Sequence, residues 1–202
     1  MNGRSLYLAR HTLSQYYYPP TLPLIPLLDP DRLRAARVLE LGTGTGLLAI
    51  LLLPLCAEYT ASDLLENLKL VSRNLELNGL SQPKEKGRMK QRKVMSQTSV
   101  KKTANVKLEE IDWISISDER RRRHPPDHNR SNEADVDEYD LILAVDCIYN
   151  EHLVWPLVDT FGRHCSSEGR TVVWLICELR SADVVRNCQL KYSCKAEADS
   201  RR

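Results

Sequence analysis

The 202-residue chain lacks any Cys-x-x-Cys pair. Its cysteines stand singly at 56, 147, 165, 177, 188 and 194, and Cys56, Cys147 and Cys177 lie in strongly apolar stretches, a pattern that suits reduced, buried thiols. It also lacks a long hydrophobic run. The longest, Leu47 to Ala57, covers eleven residues and contains Pro54, against the roughly 20 that a membrane helix needs. Between Arg4 and Arg10 there is no apolar stretch of the secretory type and no small-residue cleavage site. Cytoplasm, or nucleus, is therefore the expected compartment, with no membrane partner. An excess of one charge is missing as well: 29 Lys and Arg face 27 Asp and Glu, which excludes a dedicated nucleic-acid binder held by its overall field. What remains, 42% hydrophobic and 28% charged residues, is the composition of an ordinary folded core of one-domain size.

The chain divides into structured segments and polar ones. Residues 1–35 hold a short helix around Leu6 to Leu13 and then a stretch with Pro19, Pro20, Pro23, Pro26 and Pro30, too dense in proline for a regular helix beyond about Gln15. Residues 36–190 form the expected main domain, interrupted at 81–105 and 118–138, and residues 191–202 form a disordered tail. Within the main domain, Arg37 to Leu41 predicts a buried strand, Leu47 to Leu53 a helix, Tyr59 to Ser62 a strand ending at Asp63. Leu64, Leu68, Val71 and Leu75 then recur at helical spacing up to Asn78-Gly79. Val106 to Ile111 predicts a third strand, Tyr139 to Asp146 a fourth, His152 to His164 a helix and Arg170 to Leu179 a fifth strand. Strands alternating with helices, most of them apolar throughout, predict an α/β fold with a parallel, doubly wound sheet covered on both faces. The interruption at 81–105 is basic, with Lys84, Lys86, Arg88, Lys90, Arg92, Lys93, Lys101 and Lys102 against Glu85, and reads as a mobile loop. The second carries Arg120 to Arg123 ahead of Glu133, Asp135, Asp137 and Glu138 and reads as a linker.

Four acids, Glu40, Asp63, Asp112 and Asp146, each close a strand, where ligands of such sheets bind. After Glu40 comes Gly42-Thr43-Gly44-Thr45-Gly46. A dinucleotide fingerprint would need its third glycine at 47, which is Leu, and a phosphate-binding loop would end in Gly-Lys-Ser/Thr, whereas Leu47-Leu48 follows Gly46. A carboxylate at 40 repels a pyrophosphate and attracts an ammonium group. S-adenosylmethionine fits, with its ammonium and sulfonium, and with a ribose for Asp63, 23 residues beyond Glu40, the distance at which dinucleotide folds place a ribose-binding acid.

Glu40 to Gly46, Asp63 with Asn67 and Asn74, Asp112-Trp113, and Asp146-Cys147-Ile148-Tyr149 together resemble the seven-β-strand protein-lysine methyltransferases with a D-x-x-Y motif, nearest to the fungal ribosomal-lysine N-methyltransferase 5 group. The resemblance covers residues 3 to 186 apart from the interruptions. It implies a Rossmann-like class I S-adenosylmethionine-dependent methyltransferase fold. It also implies that Glu40, Gly42, Thr43, Gly44 and Gly46 line the methionine end, that Asp63 holds the ribose, that Asp112 and Trp113 flank the adenine and that Val145 belongs to the same cofactor site. Asp146 and Tyr149 would border the methyl-transfer position as the catalytic pair, with a lysine of a large-subunit ribosomal protein as substrate and no metal. After Val185 no two further strands can be drawn, so the fold is expected to lack the family's C-terminal β6–β7 hairpin.

Two other readings stand beside this one: an inactive or truncated methyltransferase-like binding module, and a methyltransferase acting on RNA or a small molecule. The absence of an Asn-Pro-Pro-Tyr-type motif speaks against methylation of bases. His124 and His128 have a zinc-like spacing but no cysteine pair beside them, and His11, His152 and His164 have no evident partner. The basic interruptions suit weak contacts with RNA or a ribosome.

Overall fold

The computed structural model describes residues 3–17, 30–80, 105–122, 137–166 and 168–177. Five strands, β1 (Arg37–Leu41), β2 (Glu58–Asp63), β3 (Val106–Glu110), β4 (Leu141–Val145) and β5 (Val172–Ile176), form one sheet in the order β3-β2-β1-β4-β5, every pair parallel. Among the described residues six α-helices accompany them: α1 (Gly3–Tyr17), α2 (Pro30–Ala35), α3 (Leu47–Leu52), α4 (Leu65–Leu77), α5 (Trp113–Arg122) and α6 (Val154–His164). This is the parallel, doubly wound arrangement that the alternation of strands and helices predicts. The strand order reverses beside β1, between β1 and β4, and a crevice opens outside the carboxyl ends of the strands at such a point.

Alternation along the strands divides the core into two layers. Val38, Tyr59, Ala61, Leu141, Leu143 and Val145 pack with residues of α1, α2, α3 and α4. Leu39, Leu41, Ile142 and Ala144 pack on the other face against α6, where Val154, Leu157 and Phe161 are buried at helical spacing. Leu8 and Ala9 of α1 and Leu33 of α2 belong to the first layer, so these two helices share the core of the sheet.

Several boundaries differ from the sequence reading: α1 spans Gly3–Tyr17, past the Gln15 limit set by the prolines, and β4 (Leu141–Val145) and β5 (Val172–Ile176) are shorter than the apolar runs that hold them. Asp118 to Arg122, read as the start of a linker, form the second half of α5. Asp112 begins the helix: its carboxylate accepts from the Ile114 amide at 3.0 Å and from the Ser115 hydroxyl at 2.7 Å. Partners on α6 then hold the polar half, with Ser117 donating to Asp159 at 2.8 Å and Arg163 donating to Glu119 at 2.9 Å. Charge without apolar periodicity concealed a helix whose packing is polar. At the other end of the interruption, Asp137 accepts from Arg37 at 3.1 Å and Lys107 at 3.0 Å, tying that residue to β1 and β3. His164, which had no evident partner, is buried with its ring 5.9 Å from that of Tyr139, and burial pushes its pKa down. Residues 81–104, 123–136 and 178–202 lie outside the described residues, and with them the basic loop, His124, His128, Cys188, Cys194 and the expected lack of a terminal hairpin. Among the described residues, no helix is long and apolar enough to cross a membrane.

Gly46, at φ +75°, joins the turn after β1 to the helical layer so closely that a Cβ there would lie 2.8 Å from Val71 Cγ1 of α4, whereas Gly44, at φ +59°, has open space around it. Gly44→Ala is expected to cost roughly 1–2 kcal/mol from backbone strain alone. Gly46→Ala adds overpacking of about 1–3 kcal/mol, so urea unfolding should rank it clearly below Gly44→Ala.

Candidate functional site

The site starts where β1 ends. Gly42, Gly44 and Gly46 all have positive φ (67°, 59° and 75°), a path that a residue with a Cβ follows only under strain. The turn is pinned from three sides. The Thr43 amide donates to the Ser62 carbonyl of β2 at 2.9 Å, the Asn74 side chain of α4 donates to the Thr45 carbonyl at 2.9 Å, and the Gly46 amide donates to the Thr43 carbonyl at 3.0 Å. At Gly42 a Cβ would meet Cys147 Sγ at 3.2 Å and the Trp113 ring at 3.4 Å. The glycine thus lets the ends of β1 and β4 and the start of α5 close on one another.

Glu40 lies just behind this turn and is 2% exposed. One carboxylate oxygen, Oε2, accepts from the Thr43 hydroxyl at 2.6 Å and from the Tyr59 hydroxyl at 2.9 Å. Loss of hydration pushes its pKa up to about 7, the negative charge of Asp63 adds to the rise, and the two hydroxyls oppose it. Tyr59, fully buried on β2, was not singled out from sequence, because a tyrosine in an apolar strand reads as packing. The Glu40 backbone carbonyl accepts from the Ser62 hydroxyl at 2.7 Å, a further link between β1 and β2.

Asp63 closes β2. Its Oδ1 accepts from the Leu64 amide and the Asn67 side chain, both at 2.8 Å, and its Oδ2 from the Gly44 amide at 2.8 Å. The acid that ends the second strand is thereby bonded to the glycine turn that ends the first. Asp112 ends the loop after β3, and its two bonds are those that start α5; the Ser115 hydroxyl, first among them, holds its pKa below the usual carboxylate range. Trp113 is half-buried over Gly42 and packs into the second core layer.

Beyond β4, Asp146 takes φ +61°, unlike any other non-glycine among the described residues, and its amide donates to the Ile176 carbonyl of β5 at 2.7 Å. Such backbone strain gathers at functional sites. Cys147 is buried, its thiol donates to the Leu41 carbonyl at 3.2 Å, and burial, then the charges of Glu40, Asp63 and Asp146, push its pKa up, so it is an unreactive thiol. Val145 is buried in the first layer, and Tyr149 is 67% exposed on the loop before α6. The structure thus brings Glu40, the glycines, Thr43, Asp63, Trp113 and the Asp146 segment to one rim of the sheet. There Asp112 is engaged in capping a helix and Tyr149 stands out from the surface.

Comparison with known proteins follows this geometry. The family model for lysine methyltransferases matches residues 3–120 and 93–189. A curated relative, the diaminohydroxyphosphoribosylamino-pyrimidine deaminase of Schizosaccharomyces pombe, is 33% identical over 122 residues, 60% of this chain. The chain spans only 22% of that protein's length. Among solved structures, a ribosomal protein L11 methylase from Lactobacillus delbrueckii subsp. bulgaricus superposes with TM-score 0.48 and 17% identity, over 92% of this chain and 67% of that one. A precorrin 8w decarboxylase from Methanobacterium thermoautotrophicum gives TM-score 0.47 and 13% identity, over 85% and 73%. Fold and family model together define the class: the sheet is that of the class I S-adenosylmethionine-dependent methyltransferases. Within that class, the chain belongs to the lysine methyltransferase family.

The residues present suit that cofactor on their own geometry. A carboxyl behind the turn is kept at the expense of stability, with a second acid raising its pKa, and an ammonium group relieves such a cost. Glu40 titrates near 4.5 when the chain is unfolded and near 7 when folded, so the folded state holds its full advantage below pH 4.5 and loses on the order of 3 kcal/mol as pH rises through 7. Glu40→Gln, which keeps an acceptor for Thr43 and Tyr59, is expected to unfold at a higher temperature than the parent at pH 8 and at a similar one at pH 4. Thermal unfolding at several pH values checks this; equal midpoints at pH 8 would contradict it.

Proposed function

We propose that this chain is a protein-lysine N-methyltransferase acting on a large-subunit ribosomal protein, in the cytoplasm or nucleus. The observation that carries the reading is the buried Glu40 carboxyl behind a three-glycine turn, bonded through Gly44 to the acid of the next strand. The family supports a lysine as the acceptor. The ribosomal substrate rests on the resemblance of Glu40 to Gly46, Asp63, Asp112-Trp113 and Asp146 to Tyr149 to the ribosomal-lysine group. Weak RNA or ribosome contact through the basic segments belongs to the same proposal.

When bound, S-adenosylmethionine supplies an electrophilic methyl group on a sulfonium. The protein's part is alignment, which for an in-line displacement contributes several kcal/mol. In this reading Glu40 and the turn hold the ammonium end, and Asp63 accepts from the ribose hydroxyls while keeping the Gly44 amide in place. Asp112 and Trp113 flank the adenine, and Val145 backs the site from the core. Asp146, fixed by the hydrogen bond from its backbone N–H to β5, orients the incoming lysine ammonium until its proton leaves to solvent. Tyr149 walls the channel by which the neutral amine approaches.

Calorimetric titration is expected to give binding of S-adenosylmethionine and none of NAD; the reverse result would refute the reading of the turn. Asp63→Ala removes acceptors worth roughly 1.5–3 kcal/mol each, so affinity should fall at least tenfold with the fold intact. Asp146→Asn should abolish methylation of ribosomal protein while weakening cofactor binding much less. Parental methylation rates in that variant would remove Asp146 from the acceptor site.

A further inference from the structure

We propose that Tyr59 is a positioning residue for the cofactor crevice, acting through Glu40: its buried hydroxyl, with that of Thr43, holds Glu40 as a carboxylate in one orientation behind the glycine turn. The inference rests on the functional reading above and adds to it a residue on the far side of the acid.

The geometry is that of a carboxyl clamped at one oxygen. Thr43 and Tyr59 both donate to Oε2, at 2.6 and 2.9 Å, from the turn and from β2. Thr43 follows β1 by two residues and moves with the turn. Tyr59 is different: it is the second residue of β2, is completely buried in the first core layer and pairs in register with Val38. Its hydroxyl is therefore a fixed point against which the carboxyl is set. Tyr59 itself cannot ionise in this place, since burial, and then the charge of Glu40, push its pKa well up. It acts only as a donor.

A donor to the charged form is needed because, Thr43 apart, no group facing Glu40 favours that form. From β2, Asp63 adds negative charge; from the segment after β4, the Cys147 thiol stays neutral; α3, with the sequence Leu-Leu-Ala-Ile-Leu-Leu, holds no ionisable group, and the β4 residue paired with Glu40 is Leu143. Burial opposes it most. With the Tyr59 hydroxyl removed, Glu40 keeps its proton to higher pH, and a protonated carboxyl no longer attracts an ammonium group at neutral pH.

The test is the ratio of parental to Tyr59→Phe affinity for S-adenosylmethionine, measured by calorimetry on the full chain at each half unit from pH 6 to 9. Taking the ratio cancels the titration of the ligand's own amine. Tyr59→Phe keeps the ring and removes only the hydroxyl. Loss of the Tyr59 bond raises the Glu40 pKa, so the ratio is several-fold at pH 6 and falls to near one at pH 9. In a Glu40→Gln background Tyr59→Phe should then change nothing. Should Tyr59→Phe fail to fold, Thr43→Val, which removes the other donor to the same oxygen, should give the same pH-dependent ratio. A ratio of one throughout overturns the inference, as does a loss that is equal at all pH values and persists with Gln at 40, for that is structural damage. If the parent binds no S-adenosylmethionine at any pH, the functional reading itself fails and Tyr59's role goes with it.

Discussion

A carboxyl group buried at the end of the middle strand is what the rest of this site is arranged around. Glu40 is buried behind the turn that ends the middle strand, and the surrounding polar bonds are arranged to keep it there. Thr43 and Tyr59 share one of its oxygens, Ser62 bonds its backbone carbonyl, and Asp63 reaches across to the Gly44 amide. Buried carboxyls are costly, and one whose charged neighbour is another acid is costlier. A purely structural residue at position 40 would be apolar, like Val38 and Leu143 on the same face. In the proposed function, the cationic ligand favours the charge of this acid.

The parallel sheet gathers the chemistry. All five strands run the same way, so every residue that closes a strand arrives at one edge: Glu40 and the glycines from β1, Asp63 from β2, Asp112 just beyond β3, Asp146 just beyond β4. In an antiparallel sheet alternate members of this set would lie at opposite ends. The glycines then permit the close approach. Gly42 admits Cys147 and Trp113 to within ordinary contact, and Gly46 admits Val71, so the helical layers and the strand ends meet at a single point.

Much of this was legible in the sequence because it depends on local patterns. Short runs with strand character, several of them closed by an acid, marked the strands, and Leu68, Val71 and Leu75 at helical spacing marked α4. The helix formed by Asp118 to Arg122 was not legible. Its packing is a set of hydrogen bonds and ion pairs between α5 and α6, residues some forty apart in the chain, and such bonds leave no apolar period. The partner of His164 was hidden for the same reason.

The sequence by itself determined the alternation of strands and helices, the places where strands stop, and the unusual glycine spacing that excludes two phosphate-binding turns. These are matters of which residues stand next to one another. Only the tertiary structure decided that Glu40 is buried rather than open, that Tyr59 from a different strand holds it, that Asp63 bonds the turn it faces, and that Asp146 adopts a left-handed backbone against β5. Each of these depends on how far water is excluded and on which donor another strand brings within 3 Å. Those quantities belong to the packed sheet and have no counterpart in any short stretch of chain.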